Sequence, residues 1–437
     1  MNTKKGVKLW NEAKKIIPGG SQLLSKRSEM FLPDQWPSYY KKAKGVIIED
    51  LDGNKLIDMS IMGVGACVLG YSDEEVNKAV KKAVDDCTMT TLNCPEEIEL
   101  ANIFLKLHPW AGMVRYAKTG GEAVAVAIRI ARAFTNKDKV AFCGYHGWSD
   151  WYLSANLGDD KNLDGHLLPG LEPKGVPRNL KGSSIPFEYN DLDALKKILD
   201  KNNDVGTVIM EPIRYKEPKK GFLEEIRKIT KEKGIILIFD EITSGFRINV
   251  GGAYEKYGVQ PDMVIYGKSI GNGFPMSVIL GKKEIMNAAQ TSFISSTFWT
   301  ERTGLVASIV TINKMIREKV PEHLIRIGEK ISKGWKELAE KNNLKVKTMG
   351  IPPLTTFKID HEDSQKLHTL FTQEMLERGF LASKSVYVSY SHSDEIIDKY
   401  LISVDETFKI IKQAIDNNNV DKLLKGPVAH TGFRRLT

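Results

Sequence analysis

Residues 234–275 read GIILIFDEITSGFRINVGGAYEKYGVQPDMVIYGKSIGNGFP. The runs GIILIFD (234–240) and DMVIYG (262–267) are short, apolar and rich in β-branched or aromatic residues, which predicts strands. The first closes on Asp240 and the second is followed at once by Lys268. Working outward, MVRYA (113–117), KVAFCG (139–144) and GTVIMEP (206–212) repeat the pattern. Most of these runs are separated by stretches of helical periodicity, such as GEAVAVAIRIARAF (121–134) and LEEIRKITKEKG (223–234). Strands alternating with helices predict an α/β fold with a mostly parallel sheet covered on both faces. Upstream, VIIEDLDGNKLID (46–58) sets Asp52-Gly53 between apolar runs, the signature of a β-hairpin. Downstream, EHLIRIGEKISKGWKELAEK (322–341), PLTTFKID (353–360) and SQKLHTLFTQEMLERG (364–379) read as helix, strand and helix of a smaller α+β domain. The expected organisation is an N-terminal segment of the small domain (1–59), a large α/β domain (60–304) and the rest of the small domain (305–437).

Composition narrows the function classes. The chain has 437 residues, 42% apolar and 27% charged, which excludes a disordered, collagen-like or membrane-spanning protein. Its 63 Lys+Arg against 55 Asp+Glu give a net charge of +8, spread without a block of like charges, a poor match to nucleic-acid binding. Cys67, Cys87, Cys94 and Cys143 form no CxxC pair, which argues against zinc and against a disulfide scaffold. The start, MNTKKGVKLWNEAKK, has no apolar stretch behind its lysines, so a cytoplasmic location is expected. No Walker loop or HExxH is present, and no metal is expected.

In open α/β sheets ligands bind beyond the carboxyl ends of the strands. After MVRYA comes Thr119-Gly120-Gly121 and then an Ala-rich helix, so bare amides at a helix N-terminus offer an anion seat, although paired glycines also make ordinary tight turns. After KVAFCG comes Tyr145-His146-Gly147-Trp148, aromatic groups able to lie against a planar ligand or to pack in the core. Asp240 closes an apolar strand and needs a cationic or hydrogen-bonding partner. Lys268 stands between an apolar strand and a glycine-rich loop, where partial desolvation favours a nucleophilic amine. A phosphate seat, a flat aromatic group, an acid and an amine nucleophile together make the parts list for pyridoxal 5′-phosphate (PLP).

With IIPGG (16–20), DLDGNKLID, TGGEA (119–123), YHGW (145–148), EPI (211–213), FDEITSGFR (239–247), GKSIGNGFP (267–275) and STF (296–298), the chain resembles the fold-type I, class III PLP-dependent aminotransferases. Within them it is most similar to the glutamate-1-semialdehyde 2,1-aminomutase family. The resemblance implies a large domain with a mostly parallel, seven-stranded-type sheet and a small α+β domain built from both chain ends. It also implies that Lys268 forms the aldimine and shuttles a proton, while Asp240 pairs with the ring nitrogen. Tyr145, beside His146, and Ile242 would flank the ring, and Glu211 would stand near the cofactor. Thr119, Gly120 and Gly121 would hold the phosphate, joined by Thr297 of the partner subunit in a homodimer with shared sites.

The chain departs from the family pattern in places that bear on the reaction. Gly121 replaces a threonine of the phosphate loop. STFWTER (296–302) carries Trp299, Glu301 and Arg302 where small residues are common, which suggests a polar, sugar-like or phosphorylated acceptor. Lys26 or Arg27 stands near the position of a carboxylate-binding arginine, the other reading being an exposed basic pair. The mutase carries a glutamate on a small-domain loop, whereas FLASKSVYVSYSHSDE (380–395) has no acid before Asp394. These departures favour a ping-pong aminotransferase that moves an amino group from an amino-acid donor, glutamate first, to the aldehyde or ketone of a small polar substrate. The alternative is the intramolecular exchange that makes 5-aminolevulinate. Lys268 with Asp240 argues against a non-catalytic nucleic-acid binder that uses Arg434 and Arg435 of the tail.

Overall fold

In this structure, a computed structural model that describes residues 1–166, 169–213 and 215–433, the apolar runs form one seven-stranded sheet. Its spatial order is Met113–Ala117, Ser277–Gly281, Met263–Tyr266, Ile236–Asp240, Val205–Met210, Lys139–Cys143, Ser184–Pro186. All strands run one way except Ser277–Gly281, which is antiparallel to both neighbours. The connection from Tyr266 to Ser277 is too short for a crossover helix, so this strand must return antiparallel. The four strands Lys139–Cys143, Val205–Met210, Ile236–Asp240 and Met263–Tyr266 are neighbours, so their carboxyl ends form one ledge. The helix Gly120–Thr135 buries Ala123, Val124, Ala127, Ile128, Ile130 and Ala131 in the core that also holds Ile209, Ile238 and Ile265. Each fully buried Val or Ile contributes about 1.5–3 kcal/mol of transfer free energy.

The chain divides into two compact units, 74–321 and the pair of segments 1–73 and 322–437. The sequence reading divides the chain at 59/60 and 304/305 instead. The helix Arg302–Arg317 goes with the larger unit because Leu305, Ala307, Ile309 and Ile312 are buried and because Lys314 and Arg317 both pair with Glu75. Residues 60–73 stay with the smaller unit, where the Tyr71 hydroxyl donates to Asp58 Oδ2 at 2.6 Å and Tyr71 bridges to Gly45. In that unit the hairpin Ile47–Asp50/Lys55–Met59 is completed by Phe380–Ala382, which pairs parallel to Lys55–Met59 and so joins both chain ends in one sheet. A second sheet orders Val346–Met349, Leu354–Ile359 and Ser385–Tyr387. Arg434 and Arg435 lie outside the described residues.

Candidate active site

Asp240 ends its strand only 3% exposed, and the partner that its burial demands is His146. Asp240 Oδ2 lies 2.8 Å from His146 Nδ1, and Oδ1 accepts the Ile242 amide at 3.1 Å. His146 Nε2 faces the Cys143 carbonyl at 3.1 Å. A carbonyl only accepts, so Nε2 carries hydrogen and the Nδ1···Oδ2 contact holds a further proton. His146 thus sits beneath the carboxylate, buried, and fixes its orientation.

Next along the ledge, Lys268 leaves the strand Met263–Tyr266 with φ +42°, a left-handed conformation that costs a lysine about 1–2 kcal/mol. Strain of this kind persists where the surroundings over-determine it, as at sites of chemistry. Its Nζ donates to Thr243 Oγ1 at 2.7 Å. Thr243 was not singled out in the sequence; its place three residues beyond Asp240, in the loop that returns over the strand ends, is the only signal for it. Ile242 spans the gap between the helix and this loop. A Cβ at Gly120 would lie 2.8 Å from Ile242 Cδ1, and one at Gly267 would lie 3.3 Å from Ile242 Cγ2, so both glycines leave room for that side chain.

Thr119 caps the helix Gly120–Thr135 in a reciprocal box: its amide and hydroxyl donate to Glu122 Oε2 at 2.9 and 3.0 Å, and the Glu122 amide donates back to Thr119 Oγ1. The amides of Gly120 and Gly121, next in the helix, have no partner among the described residues. Together with the helix dipole they form an anion seat.

Tyr145 follows a turn held from several sides. The Gly144 amide donates to His166 Nδ1 at 3.1 Å, the Gly144 carbonyl accepts from the Tyr152 hydroxyl at 3.0 Å, and the Tyr145 amide donates to buried Glu211 Oε2 at 3.2 Å. The Tyr145 ring stands edge-on to Tyr152 at 6.1 Å. Tyr152 and His166 escaped sequence reading because neither carries a local motif. Burial holds the His166 imidazole below its ordinary value, Glu188 and Glu211 oppose this, and His146 adds to it. The folded-state value is depressed, so the neutral ring's contribution to stability is present above about 6.5 and is lost as pH falls through the lower folded value. His166→Ala, which leaves the half-buried Gly144 N–H without its acceptor, is expected to cost about 1 kcal/mol at pH 8. His166→Asn, which keeps an acceptor in the place of Nδ1, should retain that stability and lose less of it at pH 5, as read by denaturant unfolding.

The remaining sequence candidates fall elsewhere. Glu301 caps the helix Arg302–Arg317 through the Thr303 amide at 2.8 Å and pairs with Lys118 Nζ at 2.9 Å. Burial pushes its carboxyl up, but Lys118 and Thr303 together hold it below its ordinary value. Arg302 pairs with Glu96 at 2.6 Å. Both charges are therefore consumed inside the larger unit, and they do not argue for a phosphorylated or sugar-like acceptor as the sequence suggested. Trp299 packs half-buried against the core of that unit, while Thr297 is exposed at the start of the turn Thr297–Thr300. Lys26 and Arg27 belong to the smaller unit. Lys26 ends the short turn Leu24–Lys26, and the Arg27 guanidinium lies against Gly19 and 5.8 Å from the Phe433 ring centroid.

The class-III aminotransferase family model matches residues 33–414. The 3-aminobutyryl-CoA aminotransferase of Cloacimonas acidaminovorans (strain Evry) is 32% identical over 431 residues, covering 94% of this chain and 98% of the relative. The glutamate-1-semialdehyde 2,1-aminomutase of Methanocaldococcus jannaschii is also 32% identical over 431 residues, with 93% and 98% covered. Among solved structures, the PLP internal aldimine form of the Sphingopyxis sp. MTA144 FumI protein matches with a TM-score of 0.85 at 23% identity, over 94% of this chain and 98% of that one. The chain belongs to the class-III aminotransferases, enzymes that work with pyridoxal 5′-phosphate.

Proposed function

We propose that this enzyme transfers an amino group between separate molecules, from an amino-acid donor, glutamate first, to the aldehyde or ketone of a small polar acceptor. The residues on the ledge fit the cofactor: an amine, a carboxylate, an aromatic and an aliphatic side chain, and a helix N-terminus kept bare by Gly120 and Gly121. When bound, PLP supplies a carbonyl that condenses with amines and a ring that accepts the electron pair released at the substrate Cα. Lys268 would hold it covalently and, once displaced, carry the proton on Nζ, with Thr243 as its resting partner. Asp240, oriented by His146, would face the ring nitrogen with its negative charge. Tyr145 and Ile242 would exclude water from the ring faces, with Glu211 holding the Tyr145 backbone in place. The amides of Gly120 and Gly121 would bind the phosphate beside Thr119, joined by Thr297 of the partner subunit.

The observation that carries intermolecular transfer is the stretch 380–393, which holds no acid. Asp394, the first one after it, is committed to Arg326 at 2.8 Å and Lys330 at 3.0 Å, which hold its carboxyl down to about 2. A mutase has to fix both amines of one substrate, and this stretch offers no carboxylate for that purpose. The mutase reading keeps one support, since relatives of both reaction types stand at the same 32% identity. We also infer a homodimer in a reducing, cytoplasmic compartment. Thr297 is exposed beside uncovered Phe293 and Phe298, with Leu92 also uncovered on the same unit, and the four cysteines are free.

The deciding experiment gives the PLP-loaded enzyme glutamate-1-semialdehyde without another donor. Little or no 5-aminolevulinate is expected, whereas ¹⁵N from labelled glutamate should appear in a carbonyl acceptor from a panel. Efficient 5-aminolevulinate formation would reverse the order of the two readings.

A further inference from the structure

We infer that the indole N–H of Trp148 is a donor to the cofactor phosphate, standing in for the hydroxyl that Gly121 lacks; this rests on the assignment of the phosphate to the seat at Gly120 and Gly121. The Thr119 hydroxyl is engaged with Glu122 in the helix cap, and residue 121 has no side chain. Side-chain donors are therefore short where the main chain supplies the amides of Gly120 and Gly121.

Trp148 reaches that gap because of two glycines. Gly147 has φ +98°, and a Cβ on it would lie 3.0 Å from Gly121 Cα, so the two backbones are in direct contact. A Cβ on Gly121 would lie 3.3 Å from Trp148 Nε1 and 3.4 Å from Cδ1. It is the polar edge of the indole, and not its benzene edge, that covers the space of the absent side chain. Nε1 has no hydrogen-bond partner among the described residues, and Trp148 is 73% exposed, unusual for so large an apolar group. An indole nitrogen only donates, and a donor at a helix N-terminus faces the position an anion takes. A threonine at 121 and the indole would crowd one another, so glycine at 121 and tryptophan at 148 act as a matched pair.

A hydrogen bond to a charged group changes a dissociation constant by about ten- to a hundredfold. The test compares apoenzyme binding of PLP and of pyridoxal, which lacks the phosphate, by equilibrium dialysis. Trp148→Phe keeps a ring and removes the N–H; it should raise the PLP dissociation constant by about tenfold or more and leave that of pyridoxal within about twofold. Adding Gly121→Thr to Trp148→Phe should recover most of the loss, because the hydroxyl returns and the smaller ring admits it. Equal weakening of both ligands by Trp148→Phe would make the indole a packing group, and an unchanged PLP constant would remove it from the site; either result overturns the inference. A wild-type protein that binds PLP no better than pyridoxal would instead show the phosphate seat itself to be misassigned, whatever Trp148 does.

Discussion

Lys268→Ala is expected to lower the rate of the first half-reaction by about four orders of magnitude or more, because a single amine serves as both covalent anchor and proton carrier. The structure gives reasons to single out this lysine among many. It follows a fully buried strand, adopts φ +42°, and is positioned by a 2.7 Å hydrogen bond to Thr243 Oγ1. Lys268→Arg should be as damaging, since a guanidinium keeps its charge but neither gives up its proton nor condenses. Stopped-flow absorbance at saturating glutamate measures the rate, and cofactor retention through denaturation after borohydride reduction of the imine checks the covalent link. A variant within about a hundredfold of wild type would remove Lys268 from the chemistry.

Asp240 yields the second large effect, and its replacements separate charge from packing. Asp240→Ala strips His146 Nδ1 of its 2.8 Å partner in an interior where both residues are nearly inaccessible. Breaking such a pair costs about 3–5 kcal/mol of stability, so this variant should unfold markedly earlier in denaturant. Asp240→Asn retains an oxygen toward the Ile242 amide and a polar group toward His146, and should keep most of the stability. It loses the charge that would face the cofactor ring, which is expected to lower kcat/KM by roughly 10²–10³. Stability lost in alanine but not asparagine, with activity lost in both, is the signature. Full activity in Asp240→Asn would mean that the carboxylate serves structure alone.

The strands that carry the ledge were legible because parallel strands buried on both faces have to be apolar throughout, and the residue closing each run then stands out. That logic found Asp240, Lys268 and the Tyr145–Trp148 segment. It missed Ser277–Gly281, an apolar run masked by the glycine-rich loop before it, whose antiparallel direction follows from a connection too short to cross over. It also missed Thr243, Tyr152 and His166, which matter only through hydrogen bonds to Lys268 and Gly144. The short edge strand Ser184–Pro186 left no readable pattern either.

Periodicity and the residues at strand ends determined on their own that this is an α/β protein with an amine, an acid and a glycine-bare helix start at the carboxyl edge of its sheet. Those features are local: a strand's burial and a helix's first turn are written in a few consecutive residues. Tertiary structure alone decided what each polar group is for. Glu301 and Arg302 look like substrate residues in the chain, yet Lys118 and Glu96 consume their charges. Trp148 looks like core packing, yet its polar edge covers the space left by Gly121. A charge or a donor takes its meaning from its partner, and here the partner stands dozens to hundreds of residues away.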